Sequence, residues 1–180
     1  MLLLVDNGSV YTSHLTDFFE RRAIPFVKTV PHLCKPDGLG EYDHIVLSGR
    51  RRNEQKTNVA NTRIVRHAVR NGTRLLGICY GAEIMALALG GTIKRRRCAR
   101  TGSGTVRVTG ENPICGGTLD VLESHGYEVA SLPDVLVSIA ESEECRHEII
   151  RHRTEPVFGT QFHPEMSPDG QMLIERFCSL

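Results

Sequence analysis

The sequence lacks several things, and each absence narrows the field. It has no long apolar run: Met1-Leu2-Leu3-Leu4-Val5 meets Asp6 at once, too short for a signal peptide or a membrane span. A cytoplasmic, reducing location with no membrane partner is therefore expected. It has no excess of either charge. Twenty-two Lys+Arg against 21 Asp+Glu leave a net charge of +1, so no overall field draws it to nucleic acid. Six cysteines are present (Cys34, Cys79, Cys98, Cys115, Cys145 and Cys178), but none forms a C-x-x-C pair. Zinc-type spacing is absent, no metal is expected, and free thiols are. There is no Walker-type phosphate loop, so no cofactor is expected in this chain. No internal repeat is found, and Cys178-Ser179-Leu180 matches neither lipidation nor peroxisomal signals.

What remains is ordinary globular composition. Hydrophobic residues make up 40% and charged residues 24% of 180 residues, enough for a single domain over 1–180. Short apolar runs predict strands at Leu2–Val5, Pro25–Val30, His44–Leu47 and Arg74–Ile78. Helical periodicity predicts helices over Thr12–Arg22, Val59–Arg70 (stopped at Asn71-Gly72) and Ala82–Leu89. This alternation predicts an α/β fold: a doubly wound, mostly parallel sheet with helices on both faces. The segment Gly102–Leu122 is glycine-rich without helical period and reads as shorter strands in a small antiparallel extension. Val135–Ala140 and His147–Arg151 continue it. Val157–Phe162 reads as a strand ending at His163, and Asp169–Phe177 as a closing helix. Two basic clusters, Arg50-Arg51-Arg52 and Lys94-Arg95-Arg96-Arg97, read as solvated loop charge. A docking surface for a partner or an anionic substrate is the alternative.

Gly77-Ile78-Cys79-Tyr80-Gly81 carries chemistry. It follows a strand and opens a helix, so the cysteine sits on a tight turn where flanking side chains would collide. The turn lifts the thiol clear of the sheet and sets it at a helix N-terminus, which is expected to lower its pKa. The Tyr80 N–H points toward a developing oxyanion. The bland alternative is a buried cysteine acting as a small hydrophobe.

A cysteine nucleophile needs a base, and the base an orienting group. Gly159-Thr160-Gln161-Phe162-His163-Pro164-Glu165 supplies both. His163 follows a strand, as Cys79 does, and should lie on the same sheet edge. Glu165, two residues on, can reach back to the ring. The other histidines lack this setting, His125 being a partial exception.

Together these residues resemble the class I, triad-type glutamine amidotransferases. The resemblance spans nearly the whole chain: Val5-Asp6-Asn7-Gly8, Leu47-Ser48-Gly49, the cysteine turn, Ser124-His125-Gly126 and the motif ending at Glu165. Within that class it is most similar to the glutamine-hydrolysing component of archaeal-type GMP synthetases. The resemblance implies Cys79 as nucleophile, His163 as base and Glu165 as its partner. The N–H groups of Tyr80 and of the Gly49-Arg50 turn would form the oxyanion hole, and Glu83 and His125 would lie in the substrate site. Glutamine would be hydrolysed to glutamate, and the ammonia would pass to a separate ATP-binding GMP synthetase subunit, which aminates XMP to GMP. ATP and Mg would belong to that partner.

The sequence departs from the family pattern in the pocket. Arg50 stands where a second glycine is usual, although an arginine tolerates positive φ poorly. Glu83 replaces a glutamine and Tyr127 an aspartate, and Arg100–Gly104 is a poor match to the substrate-backbone motif. These departures keep other readings open. One is an amidotransferase of anthranilate or aminodeoxychorismate synthesis, disfavoured by the N-terminal motif and by Met166 in place of serine. Another is a catalytically impaired regulatory or binding module. A third is a cysteine hydrolase of another γ-glutamyl compound. Low glutaminase activity without a partner is expected.

Overall fold

The structure is a computed structural model that describes residues 1–180, apart from the side chains at positions 36 and 37. The elements run β1 (Leu2–Val5), α1 (Thr12–Arg21), β2 (Phe26–Thr29), β3 (His44–Leu47), α2 (Gln55–Asn71), β4 (Arg74–Ile78), α3 (Tyr80–Ala88), β5 (Thr92–Val108), β6 (Thr118–Ser131), β7 (Leu136–Glu141), β8 (Ile149–His152), β9 (Val157–Thr160) and α4 (Pro168–Cys178). They form one nine-stranded sheet in the order β2-β1-β3-β4-β9-β8-β7-β5-β6. The β2-β1-β3-β4-β9 portion is parallel, and the rest is antiparallel.

β1, β4 and β9 can be almost wholly apolar because helices cover both faces. Alternation then sorts the side chains. Leu2, Leu4, Val46, Leu76 and Ile78 pack with Leu15, Phe18 and Phe19 of α1 and with Leu173, Ile174 and Phe177 of α4. Leu3, Val5, Ile45, Leu47 and Leu75 pack on the opposite face with Ile64, Val65 and Ala68 of α2 and with Ile84 and Met85 of α3. Phe18 and Phe19 are at most 1% exposed, and burying each contributes roughly 1.5–3 kcal/mol before entropy is counted. α2 stops where Gly72 takes the left-handed conformation (φ 65°) and returns its N–H to Ala68 O, the capping role glycine fills without a Cβ penalty.

The doubly wound fold is as expected. The antiparallel part differs in scale: a 17-residue β5 pairs with a 14-residue β6 in one long hairpin, replacing the expected short strands. Cross-strand pairing overrides the glycines there. The Lys94–Arg97 cluster is therefore strand, not loop. The ladder skips from Arg95↔Tyr127 to Arg100↔His125, so the intervening residues of β5 bulge outward. Lys94 and Arg96 are tied to Glu128, and Arg96 also to Glu144.

The β1-β3 neighbourhood is the topological switch point, where one crossover winds toward β2 and the other toward β4. In open sheets of this kind, ligand crevices form beyond the carboxyl ends of the strands. The loops after β1, β3, β4 and β9 all open there.

Candidate active site

Cys79 caps α3 with φ 50° and ψ −101°. Among the described residues it and Ala23 are the non-glycine residues of positive φ. That backbone strain is concentrated at the expected nucleophile. The flanking glycines have the predicted steric cause. A Cβ on Gly77 would meet the Gly81 carbonyl carbon at 2.4 Å, and one on Gly81 would meet Leu47 O at 2.6 Å. The turn is fastened by the Cys79 N–H to Thr160 O bond of 2.7 Å and by Ala82 and Glu83 N–H groups donating to Cys79 O at 3.0 Å. The Tyr80 N–H follows it at the first position of α3.

β4 and β9 are adjacent and in register, Ile78 facing Thr160, so Cys79 and the segment reaching His163 leave the same edge. β6 meets both. Leu122 O accepts the His163 N–H at 2.9 Å, and Ser124 O accepts the Cys79 thiol at 3.9 Å. Alternate residues of one strand thus touch nucleophile and base segment. The imidazole Nδ1 lies 2.9 Å from Glu165 Oε1, with both side chains buried. Tyr11 packs its ring 4.6 Å from the His163 ring, and Gly49 lies so close that a Cβ there would stand 2.9 Å from His163 Cε1. Behind Glu165, Ser167 caps α4 through the Gly170 N–H. Gly170 itself presses on Pro164, leaving no room for a Cβ.

The expected low thiol pKa is corrected by these surroundings. Burial pushes the Cys79 thiol well above its ordinary value, and the negative charges of Glu83, Glu165 and Glu123 push it further. The Tyr80 N–H works in the opposite direction. Desolvation and three carboxylates outweigh one helix N-terminus, so the resting residue is a neutral thiol bonded to Ser124.

The loop after β3 is held from below: the Asn7 N–H bonds Ser48 Oγ and Asn7 Nδ2 bonds Ser48 O, each at 2.9 Å. Arg50 does not take positive φ, so the strain expected for an arginine in this turn does not arise. It forms an isolated antiparallel bridge with Gly8. Its guanidinium lies 4.1 Å from the Tyr80 ring centroid and bonds Asn53 and Asn58 at 2.7 and 2.8 Å. Glu83 is 4% exposed. Burial raises its pKa, while Arg50, Gln161 and His125 oppose the rise. The two departures Arg50 and Glu83 therefore act on one another with opposite charges.

His125 sits beside the site, but its side chain is fully buried. Its Nδ1 lies 2.8 Å from Tyr127 O and its Nε2 3.1 Å from Glu123 Oε2, so both ring nitrogens face groups of the protein itself. Tyr127 is 43% exposed at the surface. Sequence reasoning missed Tyr11, Gln161, Glu123 and Glu148. A signal for Glu123 existed: it falls in phase with Leu119 and Val121 on one face of β6.

Comparison with known proteins bears on this arrangement. Residues 3–179 match the family model "Glutamine amidotransferase class-I". The chain is 29% identical over 187 residues to a glutamine-hydrolyzing GMP synthase subunit of Methanococcus vannielii, covering 100% of this chain and 96% of that one. It is 30% identical over 190 residues to the corresponding subunit of Methanopyrus kandleri, covering 100% and 98%. Against the GMP synthase of Aliivibrio fischeri strain MJ11 it is 34% identical over 140 residues, which is 75% of this chain but only 27% of that longer protein. A crystal structure of a Thermoplasma acidophilum protein, proposed to be a GMP synthase subunit, superposes with a TM-score of 0.88 at 25% identity, covering 99% and 92% of the two chains.

Proposed function

Because the chain belongs to the class-I glutamine amidotransferase family, we propose that it is the glutamine-hydrolysing subunit of a two-subunit GMP synthase, with Cys79, His163 and Glu165 as its catalytic residues. The observation that carries this reading is the meeting of the strained Cys79 turn and the His163–Glu165 pair on one strand, β6.

The chemistry follows from the positions. Proton transfer from the thiol to His163 generates a thiolate–imidazolium pair as glutamine enters. The sulfur attacks the side-chain amide carbon, and the Tyr80 N–H, with those of Gly49 or Arg50, stabilises the oxyanion; one such donor supplies about 3 kcal/mol. The tetrahedral intermediate collapses by breaking the C–N bond, and His163 returns its proton to the leaving ammonia. Water, deprotonated by His163, then hydrolyses the γ-glutamyl thioester to glutamate and free thiol. Glu165 keeps the imidazole oriented and stabilises its cation. A synthetase subunit would bind ATP and Mg and consume the ammonia in aminating XMP. The relatives named as separate GMP synthase subunits, matched over nearly their whole length, support that partner over a chorismate-using one. Cytoplasmic location is part of the same proposal, tested by cell fractionation.

The test is glutamine hydrolysis by the purified chain, alone and with an archaeal-type synthetase subunit plus XMP and ATP. Weak turnover alone, marked stimulation by the partner, and complete loss in Cys79→Ala are expected. Stimulation by a chorismate-using partner instead would redirect the reading, and turnover surviving in Cys79→Ala would end it.

A further inference from the structure

The core-facing stripe of β6 runs Leu119, Val121, Glu123, His125, all buried. It turns from apolar to charged as it nears the site. A charge taken out of water costs several kcal/mol unless it is paired, and the pairs come from other elements. Arg100 of β5 brings its Nε to 3.4 Å from Glu123 Oε1 and reaches Glu144 with its Nη1. Glu148, with 0% exposure, receives the Ser142 hydroxyl at 2.7 Å and faces the Glu123 carboxyl. Two neighbouring carboxyl groups resist ionising together, so the neutral form of Glu148 is favoured.

His125 completes the cluster. A carbonyl oxygen can only accept, so Nδ1 carries a proton for Tyr127 O. Nε2 faces a carboxylate at ion-pair distance, although its N–H is not aligned as a hydrogen bond. Burial alone would favour the neutral ring, but Glu123, the Tyr127 carbonyl and Glu148 outweigh it and raise the pKa. Its neighbours therefore favour the imidazolium over the neutral ring. Glu83 on α3 and Glu144, before β8, are further charged groups acting on it.

This cluster stands directly behind the reacting residues. Ser124, between Glu123 and His125, accepts the Cys79 thiol, and Leu122 accepts the His163 N–H. Glu148 accepts the Gln161 N–H at 2.8 Å through its own carbonyl, fastening the segment that leads to His163. One buried network therefore grips both arms of the site.

We propose that Glu123, His125, Glu148 and Arg100 are positioning residues of the glutaminase, a buried charge cluster that sets thiol and imidazole relative to one another. The inference rests on the glutaminase reading. With Glu148 neutral, His125 and Arg100 face the Glu123 and Glu144 carboxylates. Burial, then the Glu123 charge, push Glu148 up to about 8. Above that pH a second buried anion appears and the cluster loosens, so the neutral form of Glu148 is the competent one.

The test is the pH profile of kcat for glutamine hydrolysis by the assembled complex, with ¹⁵N NMR of histidine-labelled chain alongside. For wild type, kcat should fall above about pH 8, and in Glu148→Gln, which cannot ionise, that fall should disappear. In His125→Asn, kcat should drop at least about tenfold with KM within about threefold, since misplacing reacting groups by about 1 Å costs up to a hundredfold. NMR should show both His125 ring nitrogens protonated at neutral pH, and only one in Glu123→Gln. An unchanged alkaline limb in Glu148→Gln, or a neutral His125 ring in wild type, overturns the proposal. If His125→Asn fails to fold, those two measurements decide. A wild type that hydrolyses no glutamine while its His125 is an imidazolium refutes the glutaminase reading. The network is then judged by NMR and by whether Glu148→Gln changes the pH profile of Cys79 alkylation.

Discussion

Gly77→Ala is a one-methyl test of the nucleophile turn. The new Cβ would lie 2.4 Å from the Gly81 carbonyl carbon, 2.5 Å from its oxygen and 2.8 Å from Ala82 N. All three are backbone atoms of the first turn of α3, so no side-chain rotation relieves the clash. Restoring ordinary contact near about 3.5 Å requires β4 and α3 to part by about 1 Å. Over-packing of this kind costs about 1–3 kcal/mol, and an immovable neighbour puts it at the upper end. At about 2–4 °C per kcal/mol for a chain of this size, Tm should fall by about 6–12 °C. The same shift displaces Cys79 and should lower kcat about a hundredfold. Gly81→Ala is milder. Its Cβ meets Leu47 O at 2.6 Å, but alanine recovers up to about 1 kcal/mol of helix propensity, leaving a net loss of about 1–2 kcal/mol. Gly116→Ala, with nothing within 4 Å, is the control and should change stability by less than about 0.5 kcal/mol. Urea denaturation and thermal melting of the three variants measure this. A Gly77→Ala protein melting within about 2 °C of wild type would refute the steric account of the turn.

Other outcomes follow from the same geometry. Glu165→Gln removes the carboxylate 2.9 Å from His163 Nδ1 and should lower kcat at least about a hundredfold with little change in KM; a loss under threefold in steady-state assays would remove Glu165 from the mechanism. The raised Cys79 pKa means the thiolate is the minor form throughout the neutral range. Iodoacetamide alkylation of the free protein should therefore quicken about tenfold per pH unit from pH 7 to pH 9; a plateau in that range would show an ionised resting thiol. Arg50 and Glu83 interact as opposite charges beside the nucleophile turn. A double-mutant cycle of Arg50→Met and Glu83→Gln by denaturant unfolding should give a coupling of about 0.5–3 kcal/mol, the double variant being more stable than the sum of the singles.

The parallel half of the fold was legible because each strand there is a short apolar run ended by a turn, and helical periodicity lies between. The triad was legible for a related reason: Cys79 and Glu165 are fixed by local backbone, one by its glycines and the other by its distance of two residues from His163. What the sequence hid depends on partners far along the chain. β5 carries glycines and a run of cations that read locally as loop, yet pairing with β6 from Thr92 to Arg107 makes it a strand. The thiol pKa differs from expectation because a helix N-terminus is a local feature, whereas burial and the Glu165 and Glu123 charges depend on segments far along the chain. Glu148 was invisible because only the folded chain brings it against Glu123.

The carboxylates around Cys79 raise a physical question about reactivity. A free thiolate there is opposed by burial and by three negative charges, and each pKa unit corresponds to about 1.36 kcal/mol. A thiolate formed together with the His163 imidazolium is different, because the proton stays in the site and the cation, held by Glu165, offsets the new negative charge. Nucleophilicity is then created in the substrate complex, not stored in the resting enzyme. This arrangement protects the sulfur from wasteful reaction and makes turnover depend on whatever breaks its contact with Ser124. Proton transfer to His163 removes that contact, and the position of Ser124 is in turn set by the buried charges on either side of it. A partner that shifts the β5–β6 hairpin, whose Arg96 and Arg100 reach Glu144 at the surface, would act on those charges directly. Ammonia would then be released chiefly when its consumer is docked.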